Sequence, residues 1–132
     1  MSRYCLDTSA YSHFLRGSEA VAEILDRAEW IGVPVITVGE LRTGFLSGSR
    51  RERNEQELRL FLSNPVVKLL PVDDEVSRHY AEIVTDLRRA GTPIPTNDVW
   101  IAATAARVGA IVLTFDDHFA KVARAGSLVL SR

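Results

Sequence analysis

Hydrophobic residues along this chain follow two rhythms. Short apolar runs rich in valine, isoleucine and leucine alternate with longer stretches in which apolar residues recur every third or fourth position. The first rhythm suits buried strands, and the second suits helices packed on them. Residues 4–7 read as a short opening strand. Ser9 caps a helix over 10–15 that Gly17 ends, and a second helix over 19–28 carries Val21, Ile24, Leu25 and Ala28 on one face. Residues 30–36 predict a strand, with a bulge or irregular ladder at Pro34, which has no N–H to donate.

Thr37-Val38-Gly39-Glu40 has the spacing of a capping box and opens a helix running to about Leu46. Residues 51–62 predict another helix, with Leu58, Phe61 and Leu62 on one face. The turn Asn64-Pro65 leads into a strand over 66–70. Asp73 caps a long helix that Gly91 stops after Ala90. Residues 92–95, with prolines at 93 and 95, are extended. Thr96 caps a helix over 97–108, which is apolar all round between Val99 and Ala106 and is therefore buried. A strand over 110–114, a short helix over 118–123 and a strand over 128–130 complete the chain. This alternation predicts an α/β architecture: a three-layer α/β/α sandwich around a mostly parallel central sheet.

The 132 residues suffice for one domain with a real core and no second one. No uncharged apolar run approaches the ~18–20 residues of a membrane span, and Asp7 interrupts any signal-peptide core. The expected address is cytoplasmic. Cys5 is the only cysteine, which excludes an intramolecular disulfide and a cysteine metal cluster.

Four carboxylates, Asp7, Glu40, Asp98 and Asp116, sit where apolar runs break. In an α/β chain the carboxyl ends of parallel strands share one edge of the sheet, where sites form. Acids gathered there repel one another unless a cation is bound. Each also has a structural reading. Asp7 can begin a turn, although Ser9 can cap the helix alone and leave Asp7 without that duty. Glu40 has a competing role in its capping box. Asp98 is the only ionisable group at the mouth of an apolar helix, where an unpaired charge is costly. Asp116 competes with Asp117. Strand geometry favours Asp116 for the site and Asp117 as the cap, and Thr114 offers a hydroxyl to water or phosphate.

Oxygen ligands of this kind suit Mg²⁺ or Mn²⁺ rather than zinc or copper. Net charge is −1, which argues against a nucleic-acid partner until the site is set apart. Taking four of the 17 acids as ligands leaves 13 against 16 bases, a remaining surface of +3 that is compatible with a polyanion. Arg42, Arg50, Arg51 and Arg53 are candidate RNA contacts, although charges alternating with Glu52, Glu55 and Glu57 also describe a solvated helix face. Arg42 is too close in sequence to Glu40 to be its natural helical partner. His13, His79 and His118 lack metal-ligand spacing and read as surface or packing residues. Cys5 and Trp100 read as core.

Taken together, Leu6-Asp7-Thr8-Ser9, Val38-Gly39-Glu40-Leu41-Arg42-Thr43-Gly44, Pro95-Thr96-Asn97-Asp98-Val99-Trp100-Ile101-Ala102-Ala103 and Leu113-Thr114-Phe115-Asp116 resemble the PIN-domain ribonucleases. More narrowly they resemble the VapC toxins of bacterial and archaeal toxin–antitoxin pairs, in order and spacing over essentially the whole chain. The resemblance implies an acidic pocket holding Mg²⁺ or Mn²⁺, formed by Asp7, Glu40, Asp98 and Asp116 with Ser9 as the polar residue after the first acid. It implies endonucleolytic cleavage of structured RNA such as tRNA or ribosomal RNA. It also implies a homodimer silenced by a VapB-like antitoxin, with DNA contacted only through that partner. Phe115 departs from the polar or basic residue many relatives carry there. A receiver-type signalling domain is the main alternative, but it wants an acidic pair after the first strand and a lysine ending a late strand. Here Asp7 stands alone and Lys121 falls within a helix. A catalytically silent relative would be marked by loss of an acid, and all four are present.

Overall fold

The structure, a computed structural model, describes residues 2–132. Strand β1 (Tyr4–Leu6) leads into helices α1 (Thr8–Leu15) and α2 (Glu19–Arg27), then strand β2 (Ile31–Pro34) and helices α3 (Val35–Ser47) and α4 (Arg51–Ser63). Strand β3 (Val67–Leu70), helices α5 (Asp74–Ala90) and α6 (Thr96–Arg107), strand β4 (Ile111–Thr114), a 3-10 turn (Asp117–Lys121) and strand β5 (Ser127–Val129) follow. The five strands pair in the order β3-β2-β1-β4-β5, and every pairing is parallel. Among the described residues no helix is long and apolar enough to cross a membrane.

Side-chain alternation along the strands divides the core in two, because successive residues point to opposite faces. Cys5 and Val112 pack with Ile83, Leu87, Val99 and Ile101 of α5 and α6. Leu6 and Leu113 pack with Tyr11, Val21, Leu41 and Leu58 of the first four helices. Both faces of the sheet are therefore covered, as expected for parallel strands. Gly32 marks the tightest approach: a Cβ there would lie 2.7 Å from Leu70 Cδ1 and 2.8 Å from Trp30 Cη2. Gly91 ends α5 with a φ of 69°, as its placement after Ala90 predicts.

The helix starts depart from expectation. Residues 35 and 36 belong to α3 rather than to a strand, and Pro34 is its N-cap, with no side-chain cap bond. No capping box forms, because Thr37 lies inside the helix and its hydroxyl donates to Leu6 O at 2.9 Å. Pro34 causes no bulge. It is the last residue of β2, paired with Leu70, while the β1 register has already ended at Cys5 and Gly32. Helix α6 likewise starts at Thr96 itself, with Pro95 at its N-cap. In both cases the proline's fixed φ is compatible with the extended residue preceding a helix, and the proline side chain offers no acceptor to the N–H groups of the first turn.

Strand order decides where a site can form. The chain runs outward from β1 through β2 to β3, then returns across the sheet to place β4 on the other side of β1. The carboxyl ends of β1 and β4 therefore flank the topological switch point, the usual place for a ligand crevice in such sheets.

Candidate active site

Asp7 follows β1 directly and is 4% exposed. Its carboxylate caps α1, accepting from the backbone N–H of Ala10 at 2.8 Å. It also accepts from Ser9 Oγ at 2.8 and 2.9 Å and from the Thr114 hydroxyl at the end of β4. Asp7 rather than Ser9 is thus the cap, and Ser9 instead accepts from the backbone N–H of Phe115 at 3.0 Å. Thr114 turns toward Asp7 and accepts from Asp116 N at 2.9 Å, so its hydroxyl is not offered to the cleft. Burial pushes the Asp7 carboxyl above the usual range. Hydrogen bonds from Thr114, Ala10 and Ser9 oppose that rise, and the Asp116 charge adds to it.

Glu40 lies in the second turn of α3, free of the capping role its sequence setting suggests. It is held from two sides: Thr8 Oγ1 donates to Oε1 at 2.6 Å, and Asn97 Nδ2 donates to Oε2 at 3.3 Å. These bonds link the starts of α1 and α6 through one carboxylate.

Asp98 sits in the first turn of α6 with its side chain 16% exposed. Its partner is His118, whose Nδ1 is 3.0 Å from Asp98 Oδ2 and 3.0 Å from Asp116 Oδ1. Burial raises the Asp98 carboxyl, the hydrogen bond to His118 opposes this, and the charges of Asp116 and Glu40 add to the rise. Asp116 also caps the 3-10 turn, accepting from His118 N at 3.1 Å. The cap is therefore Asp116 and not Asp117, which is exposed and lies outside the cleft lining.

The four acids expected together do converge. Asp7, Glu40, Asp98 and Asp116 line one open cleft of about 380 Å³ with Thr8, Ser9, Ser12, His13, Arg16 and Arg132. Asp7 and Asp116 follow the ends of β1 and β4, and the other two acids come from α3 and α6, the helices that close over the switch point. Asp98, Asp116 and His118 each offer an atom that lies within 4.8 Å of the other two, a spacing able to hold a metal ion.

The candidate RNA-binding arginines are less uniform than expected. Arg42 is engaged in a two-pronged pair with Glu55, at 3.0 and 2.9 Å, and Arg53 pairs with Glu57 at 3.1 Å. Arg50 and Arg53, with Arg16, border a concavity next to the acidic cleft that shares Ser12 and Arg16 with it. Trp100 stacks on Tyr80 at 3.8 Å against the core, and Cys5 is buried.

Sequence reasoning missed His118, Arg16, Arg132, Thr8 and Asn97. His118 departs from a surface or packing role because it bridges two acids from different elements. Its one sequence signal is its place two residues after Asp116. A turn can fold such a pair onto a common point, whereas a metal motif is usually sought at helical spacing. Arg16 does carry a signal, since Ser9, Ser12, His13 and Arg16 recur at three- and four-residue spacing along one face of α1, whereas Arg132 reaches the cleft only through the packing of chain segments far apart in sequence.

Comparison with known proteins identifies a family. Residues 4–125 match the family model of the PIN domain. The chain is 41% identical over 92 residues to Ribonuclease VapC4 of Mycobacterium tuberculosis, covering 70% of each chain. It is 35% identical over 128 residues to Ribonuclease VapC5 of the same organism, covering 96% of this chain and 93% of the relative. The crystal structure of VapBC-5 from Mycobacterium tuberculosis, a member of the VapBC family of toxin–antitoxin systems, superposes with a TM-score of 0.73. It does so at 31% identity over 100% of both chains. The match over residues 4–125 and these relatives show that the chain belongs to the PIN-domain family and, within it, to the VapC ribonucleases.

Proposed function

We propose that this chain is a divalent-metal-dependent endoribonuclease toxin that cuts a structured cellular RNA of the tRNA or ribosomal class. We propose further that it acts in the cytoplasm as a homodimer and is silenced by a VapB-like antitoxin. The observation that carries the reading is the convergence of Asp7, Glu40, Asp98 and Asp116 on one cleft at the switch point of the sheet. Relatives named ribonucleases and a 31% identical structure of a VapBC complex support the activity and the antitoxin.

The donor set fits a cation. Carboxylates predominate, two of them bear the cost of burial, and Asp98 and Asp116 share a single imidazole between them. Asp7, Glu40, Asp98 and Asp116 are the residues that would hold the ion, Asp7 from the most buried position. Mg²⁺ or Mn²⁺ bound there supplies a Lewis acid that activates water and offsets charge on the scissile phosphate.

The remaining residues position and complement. Ser9 and Thr114 lock the Asp7 carboxylate in place, and Thr8 and Asn97 do the same for Glu40. Arg16 and Arg132, at the cleft, match the negative phosphates flanking a scissile bond. Water attacks phosphorus in line with the departing O3′. The P–O3′ bond breaks, and the products end in a 3′ hydroxyl and a 5′ phosphate. Incubating purified protein with structured RNAs, with Mn²⁺ or with chelator, tests the reading. Cleavage that requires the metal and disappears in Asp98→Asn is expected, and no metal-dependent cleavage above that control would sink the proposal. Sequencing the RNA ends then identifies the target.

A further inference from the structure

His118 stands between the two acids least engaged with the rest of the fold. Its Nδ1 is 3.0 Å from Asp98 Oδ2 and 3.0 Å from Asp116 Oδ1. One ring nitrogen carries at most one hydrogen, so it cannot satisfy both carboxylates with direct bonds of equal quality. The three atoms come from α6, from the end of the β4 segment and from the 3-10 turn. Adjacent ligands around an octahedral ion, with bonds of about 2.1 Å, stand about 3.0 Å apart. That is the spacing of the nitrogen from each oxygen. The ring is also anchored: its own backbone N–H donates to Asp116, and the next residue, Phe119, is buried in the core.

We propose, resting on the reading that this cleft holds a divalent ion, that His118 Nδ1 is a direct ligand beside Asp98 and Asp116 and biases the site toward Mn²⁺ over Mg²⁺. The donor set is then not oxygen-only, as the acids alone suggest. Mg²⁺ is a hard ion that favours oxygen and sheds water reluctantly, whereas an imidazole nitrogen favours transition-series ions. The His118 side chain is 37% exposed, so an ion can reach the nitrogen without opening the core. His13 is the competing nitrogen, since it also lines the cleft. Its ring lies against Phe115, with centroids 4.0 Å apart.

The test is Mn²⁺ binding to the intact protein, read by pulsed EPR for a directly bound nitrogen and by calorimetry for Mn²⁺ and Mg²⁺ affinities. Nitrogen coupling is expected in the wild type and in His13→Ala, and is expected to vanish in His118→Ala. The preference for Mn²⁺ over Mg²⁺ should fall on the order of tenfold in His118→Ala. His118→Gln, which keeps a hydrogen-bonding side chain without the ring, should behave the same way, with circular dichroism confirming the fold of both variants. Mn²⁺ bound without nitrogen coupling in the wild type, or coupling that survives in His118→Ala, overturns the role of His118 and leaves the metal-site reading standing. Failure of the wild type to bind Mn²⁺ at all overturns both.

Discussion

Asp7 and Asp98 line the same cleft and have the same side chain, yet the fold treats them in opposite ways. Asp7 is sealed at the end of β1, and both its oxygens accept from neutral donors belonging to α1, Ser9 and β4. Asp98 projects from the first turn of a helix toward one histidine shared with a second acid. The Asp7 carboxylate is therefore built into the scaffold, whereas the Asp98 carboxylate is left available to a ligand. Burial raises the pKa of both, so that quantity alone does not separate them. The number and kind of their partners does.

Substitution separates the two most sharply. Asp98→Asn should lower RNA cleavage by on the order of 10²–10³-fold, the range typical when a group stabilising transition-state charge is lost. Its urea midpoint should stay near the wild type, since the amide keeps the shape and, among the described residues, no backbone N–H donates to Asp98. Asp7→Ala should abolish cleavage as well but also cost stability. Losing the cap and leaving the buried Thr114 hydroxyl without its acceptor amounts to roughly 2–4 kcal/mol. Equal urea midpoints for the two variants would break the comparison.

The next effect is on pH. A raised folded-state pKa means that the protonated form is favoured by folding. The associated stability is present below the unfolded pKa and is lost as pH rises through the folded one. Ionising Asp7 and Asp98 in the folded protein thus carries a cost, which a bound cation offsets. Saturating Mn²⁺, at a hundredfold its Kd, should stabilise the protein by about 2.7 kcal/mol at neutral pH. That gain should shrink as pH falls, beginning above the ordinary carboxylate range, because protons then compete for the same oxygens. Thermal melts with and without Mn²⁺ at several pH values would show this, and a gain independent of pH would count against it.

The smallest effect separates the arginines. Replacing Arg50 and Arg51 with glutamine should weaken RNA binding and reduce its salt dependence, by about one unit of slope for each phosphate no longer neutralised. Arg42→Gln should do less, because its guanidinium is already committed to Glu55. Filter binding across a salt series would expose the difference, and a larger effect from Arg42 would reverse the assignment.

The strands are legible in the sequence because continuous apolar runs such as Ala110 to Leu113 have few alternatives in a chain of this size. Helix starts are less so. Thr37 matches a capping box in sequence, but its hydroxyl meets Leu6 O of a strand far away in the chain. Asp116 and Asp117 are equivalent until the direction of the backbone leaving β4 is known. Only then does Asp116 face the cleft and cap the turn while Asp117 faces solvent. His118 escapes a reading of the sequence for the same reason, since its partner Asp98 lies 20 residues away.

By itself the sequence determined the alternation of strands and helices, the parallel sheet with two covered faces, and the four acids at the ends of apolar runs. Those properties follow from local periodicity and from the cost of burying polar groups, and both are written residue by residue. Only the tertiary structure decided which carboxylate is tied into the scaffold and which meets a single histidine, which hydroxyl orients which acid, and that this histidine joins Asp98 to Asp116. Those outcomes depend on distances between segments that meet only at the switch point, where the return from β3 to β4 brings the ends of β1 and β4 side by side.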